Sequence, residues 1–165
     1  MAVRRSALLA ALIAALASIP ATAEHTFTNG DFSLNPLSHG WALVDGNIDW
    51  WNPYGDSVVD LNGSQAGAIS QTFDTDAGVE YTVTFELAGN GFCGNPIKTL
   101  EVSASGESAI YTSDTGGSTL FSWATETFVF TASGPSTTLE FRSLTNLVGP
   151  FIYDLGLNDP RCGPA

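Results

Sequence analysis

The sequence predicts an all-β, two-sheet sandwich, on three observations. Tyr81, Val83, Phe85 and Leu87 alternate with Thr82, Thr84 and Glu86, and this period of two buries one strand face while wetting the other. Turn clusters recur at the spacing of short strands: Asn29-Gly30-Asp31, Asn62-Gly63-Ser64, Asp74 to Gly78, Asn90-Gly91, Thr115-Gly116-Gly117 and Ser133-Gly134-Pro135. Nothing after the first two dozen residues carries a 3.6-residue period, and charged residues make up only 13%, about half the usual share.

The strands follow from the same alternation. Leu100, Val102 and Ala104 repeat the pattern, as do Phe128 and Phe130 within residues 127–132, Leu139 and Phe141, and Phe151, Tyr153, Leu155 and Leu157. Shorter candidates are residues 41–44, 57–61 and 68–73, giving eight to ten strands in all. Asp74, Asp76 and Gly78 superficially match a calcium loop, but Phe85 stands where the bidentate Glu belongs, so a tight turn with Gly78 at positive φ is expected. With 10 Phe, 4 Trp and 4 Tyr in 165 residues, the chain can fill one core and is expected to form one domain.

Residues 1–23 combine Arg4-Arg5, an apolar run from Ala7 to Ile19 and the A-x-A pattern Ala21-Thr22-Ala23, which is the layout of a signal peptide. Cleavage is expected before Glu24, leaving residues 24–165 as a secreted domain, extracellular or periplasmic. The Arg pair could be read as a twin-arginine leader, but the residues after it support an ordinary secretory leader about as well, and the general secretory route is the default. Removal leaves Lys98, Arg142 and Arg161 against 17 acids, a net charge of −14. Such a surface disfavours nucleic acid and anionic membranes, while neutral ligands and divalent cations stay open. No membrane insertion is expected, and a monomer is. Cys93 and Cys162 form an even pair in an exported chain, so a disulfide is expected, two unrelated thiols being the other reading.

Trp50-Trp51 and Tyr54, with Asn52 and Asp56 between and beside them, form the best ligand-binding candidate. Sugar rings stack their apolar faces on indole and phenol rings, and their hydroxyls bond to Asn and Asp. Neighbours on a strand point to opposite faces, so at most one of the two indoles can enter the core; the alternative is that both pack under a loop. Phe92 and Asn95, beside Cys93, would line the same rim. Trp41 and Trp123 read as core, and His25 as mobile near the processed N-terminus. Asp45, Asp49, Asp56 and Asp60 supply carboxylates enough for glycosidase chemistry, but acids are common here and discriminate nothing. Lacking a nucleophile elbow or a phosphate-cradling loop, the chain is not expected to be an enzyme. Asn62-Gly63-Ser64 formally matches a glycosylation acceptor.

Several words of the sequence resemble a known group in content and order: Asn29-Gly30-Asp31-Phe32 with Gly40-Trp41, Val59 to Gly63, Gly67 to Phe73, Gly78 to Phe85, Lys98 to Val102, Phe128 to Ala132, and Gly149 to Asp154. Together they resemble the choice-of-anchor C family of bacterial exported proteins and the related plant cell-wall family, domain of unknown function 642. The resemblance implies a galactose-binding-like jelly roll and binding of extracellular or cell-wall polysaccharide. A cell-surface structural or protein-interaction role without sugar binding is the rival. Related sandwiches hold a structural calcium between the opening segment and an acid of the last strand, which would fall here to Asp31 and Asp154. This sequence departs from that pattern twice: Ser33 stands where Glu is usual, and Tyr153 replaces the first acid of the closing motif.

Overall fold

A computed structural model describes residues 25–51, 57–92, 94–146 and 148–158. Ten strands follow in chain order: β1 (Ala42–Asp45), β2 (Asp49–Trp51), β3 (Val58–Asp60), β4 (Ala68–Asp74), β5 (Glu80–Gly89), β6 (Ile97–Ala104), β7 (Glu107–Asp114), β8 (Ala124–Thr131), β9 (Ser136–Ser143) and β10 (Pro150–Asn158). They form two five-stranded sheets, ordered β1-β4-β9-β6-β7 and β2-β3-β10-β5-β8. Every pairing is antiparallel. The helical content of the described residues is one 3-10 turn, Pro36–Ser38.

The inner faces meet where the alternation placed them. Tyr81, Val83 and Phe85 from β5 are fully buried against Leu100 and Val102 from β6 and Leu139 and Phe141 from β9. Trp41 joins this core at 4% exposure, as expected. The turn at Asp76 closes with Val79 N–H donating to the Asp76 carbonyl at 3.1 Å, and Gly78 sits at φ +79°, as read from the sequence.

Two strands were not legible. β7 is an edge strand whose inward positions are Ala109, Tyr111 and Ser113, while Ile110 points outward at 55% exposure, so its apolar alternation is weak and partly inverted. β2 is three residues long, exposed throughout, and held by its ladder to β3.

β10 departs from the expected single-face pattern. Phe151, Tyr153, Leu155 and Leu157 do not share a face: the pairing with β5 shifts register between Tyr153 and Gly156, and Asp154 lies at φ +51°. This bulge moves the side-chain phase by one. Ile152, Leu155 and Leu157 therefore face the inter-sheet core, while Phe151 turns to the outer face of the second sheet. There it nucleates a second, smaller cluster with Val58 and Ala88, against which Phe121, Trp123 and Tyr153 pack.

His25 is anchored rather than mobile. Its ring meets Tyr81 edge-on at 6.1 Å, and Nε2 lies 3.6 Å from Asp76 Oδ2.

Candidate functional site

Register decides which side chains meet on the outer face of the second sheet. Asp49 pairs with Asp60, Asp60 with Phe151 and Phe151 with Ala88, so this row crosses four strands on one face. Two residue pairs along, Trp51 lies opposite Val58. Asp49 and Trp51 thus share the face with Asp60 and Phe151, whereas Trp50, opposite Val59, belongs to the other.

The two indoles accordingly have different roles. Trp50 donates its Nε1–H to the Phe32 carbonyl at 2.8 Å, tying the β2 edge to the opening segment. Trp51 rests on the second aromatic cluster, 6.0 Å from the Phe151 ring and 5.9 Å, edge-on, from Phe121. Neither enters the core, and each stays 41% exposed. Phe92, 60% exposed and 6.4 Å from Phe121, closes the far wall.

These residues bound a groove of about 400 Å³ lined by Asp49, Trp50, Trp51, Asp60, Asn90, Phe92 and Phe151. Its floor is polar and buried. Asp60 is 5% exposed and accepts from Asn62 N–H and from Asn90 Nδ2, each at 2.8 Å. Asn90 in turn accepts from Phe92 N–H at 3.1 Å and donates its backbone N–H to the Gly149 carbonyl, which fixes the loop carrying Phe92. Burial pushes the Asp60 carboxyl up from 3.8 to about 6, with nearby Asp49 adding to the rise and bonds from Asn90, Asn62 and Gly149 opposing it.

Asn62 supports this floor from behind. Its Nδ2 donates to the Thr145 carbonyl at 2.7 Å, and its Oδ1 has no hydrogen-bond partner among the described residues. That oxygen packs directly against Gly149, where a Cβ would overlap it. Gly149→Ala should therefore destabilise the domain by about 1–3 kcal/mol through overpacking. Gly134, with open space around it, is the control: Ala there should stay within about 0.5 kcal/mol by urea unfolding. Asn62 is 1% exposed, so the formal glycosylation match is sealed in the folded chain.

The other sequence candidates fall as follows. Asn52, Tyr54, Asp56, Cys93 and Cys162 lie outside the described residues. Asn95 does not line the groove; its Oδ1 accepts from Ile97 N–H at 3.0 Å and shapes the turn into β6. Leu155 N–H donates to the Gly30 carbonyl at 3.0 Å, so the opening turn does lie along β10. Asp31 accepts from the Ser33 N–H and hydroxyl, and Asp154 is exposed. Calcium takes six or more oxygens, carbonyls and waters included, so these two carboxylates would supply only part of such a set. Among the described residues no three His, Cys, Asp or Glu side chains are placed to share a metal ion. Nor is any helix there long and apolar enough to cross a membrane.

Asp60, Asn90 and Phe151 were not singled out as groove residues from the sequence. One signal was available: Asp60 interrupts the apolar run Val58-Val59-Asp60-Leu61, and an acid inside a buried run must be hydrogen-bonded there. No sequence signal joins Asp60 to Phe151, since their pairing is long-range.

The fold is that of known jelly-roll sandwiches. It is similar to a structure described as "CBM4 structure and function" at TM-score 0.58 and 13% identity, over 81% of this chain and 99% of that one. It is similar also to Xyl-CBM35, solved with a glucuronic acid containing disaccharide, at TM-score 0.54 and 21% identity over 72% of this chain and 86% of the other. A family 35 carbohydrate binding module from Clostridium thermocellum aligns at TM-score 0.51 and 15% identity, over 83% and 99%. At such identities the likeness is one of fold. No curated protein matches the chain in sequence. The family model described as "Protein of unknown function (DUF642)" matches residues 39–165, and the chain belongs to that family.

Proposed function

We propose that this chain is an exported, non-catalytic module that binds extracellular or cell-wall glycan in the groove under Trp51. The observation that carries the reading is the Trp51 ring, 41% exposed and braced on Phe151 and Phe121, beside the Asp60–Asn90 pair. A rigid indole offers a sugar ring an apolar face at little entropic cost, and the polar floor below it supplies hydroxyl partners. The likeness of fold to carbohydrate-binding modules supports this reading. The signal-peptide layout of residues 1–23 supports export, and N-terminal sequencing of the exported product should begin at Glu24.

Trp51→Ala should weaken binding on a glycan panel by about 2 kcal/mol, roughly thirtyfold, as expected for an indole at the centre of a contact. Its melting temperature should stay near the parent's, since the ring is half outside the fold. Full binding after replacement of both Trp50 and Trp51 would remove the groove from consideration.

A further inference from the structure

The aromatic walls explain why a sugar would stack in the groove; the charges around it bear on which sugar. Asp49 stands on the rim and Asp60 beneath it, paired directly across β2 and β3. Among the described residues no basic side chain lines the groove. Among the described residues the Lys and Arg side chains are Lys98, fully buried in β6, and Arg142, on β9 of the opposite sheet. Arg142 is already engaged, its guanidinium 3.0 Å from Asp45 and 2.8 Å from Glu140. The formal net charge of −12 adds a field of the same sign over the whole surface.

A uronate brought into this groove would meet two carboxyls with no compensating cation among the described residues, and a neutral hexose would use the rings and leave Asp49 solvated. A protonated amine gains on every count. It can donate charge-assisted hydrogen bonds to Asp49, lie over the ring faces of Trp51 or Phe92, and be drawn in by the field. Resting on the glycan-binding reading above, we infer that the Trp51 groove selects glycans bearing free amino groups, with an ammonium on Asp49 and the pyranose face on Trp51.

The test uses four soluble oligomers of equal length: hexaglucosamine, its fully N-acetylated form, cellohexaose and hexagalacturonate, titrated calorimetrically at a pH that keeps the amines protonated. Hexaglucosamine should bind about tenfold more tightly than the acetylated and neutral oligomers, and hexagalacturonate most weakly. Asp49→Asn should remove that advantage, and added salt should erode it. Glu80→Gln, at the far end of β5, neutralises an equivalent exposed charge and should not alter the preference, which separates the groove from general attraction to an acidic surface. Equal or tighter binding of cellohexaose or hexagalacturonate, or a hexaglucosamine preference that survives Asp49→Asn, overturns the charge selection while the groove reading stands on its Trp51 dependence. If no oligomer binds in a Trp51-dependent way, the groove reading itself fails and takes this inference with it.

Discussion

Phe85→Ala should destabilise the domain by about 3–5 kcal/mol, the cost of deleting a buried ring whose cavity cannot collapse. Phe85 is fully buried on β5 and reaches across the sandwich. It meets Phe141 of β9 and Tyr111 of β7 edge-on, each at 5.2 Å between ring centres. Both partners belong to the opposite sheet, so the truncation removes contacts between the two layers. Urea unfolding should show a lower midpoint with an unchanged m-value, since the surface exposed on unfolding barely changes. Val129 on β8 provides the contrast. It is 45% exposed, and Val129→Ala should fall within about 0.5 kcal/mol of the parent. A loss under about 1 kcal/mol at Phe85 would mean that the two sheets are not packed through this ring.

The second large effect is a pH dependence with the opposite sign to the usual acid denaturation. The Asp60 carboxyl titrates at about 6 in the folded chain, against 3.8 as its ordinary value, chiefly because burial penalises its charge. Between these two values the folded state holds a proton that the unfolded state has lost. Stability therefore falls as pH rises through this window, and the full difference is about 3 kcal/mol once pH exceeds 6. Other acids contribute slopes of their own, so the measurement is a difference. Parent and Asp60→Asn should be unfolded in urea at several pH values from about 4 to about 7.5. The parent should lose about 3 kcal/mol relative to the variant over that range. Parallel curves would show that the Asp60 carboxyl is not buried in the way the groove floor requires.

Both expectations concern groups whose importance was unequally legible. Phe85 announces itself, because a strand with Tyr, Val, Phe and Leu at alternate positions has one possible buried face, whichever strands it meets. The same reasoning located β4, β6, β8 and β9 to within a few residues, and it placed Trp41 in the core. Where it failed, a local cue was missing or misleading. β7 lies at a sheet edge and buries too little to show a pattern. β10 shows a regular pattern from Phe151 to Leu157, yet the bulge at Asp154 divides it between two faces, and a left-handed Asp leaves no mark that alternation can read.

The candidate site divides in the same way. Trp51 and Phe92 could be named from their chemistry, because exposed aromatic side chains beside turn residues suit a ligand. The buried half of the groove could not be. Asp60, Asn90 and Phe151 are far apart in the chain, and they converge through the β3-β10-β5 ladder and the bond from Asn90 to Asp60. The sequence also left open which of the adjacent indoles would face the groove. The pairing of Trp50 with Val59 and Trp51 with Val58 answers that, since a shift of one residue would exchange them.

The chain's fold class and its strongly acidic character are therefore properties of composition and period, which act locally or sum over all residues and need no knowledge of partners. The groove, the raised carboxyl beneath it and the second aromatic cluster arise from register across strands distant in sequence. Register is set by the total burial of two whole sheets, a sum that no single segment contains.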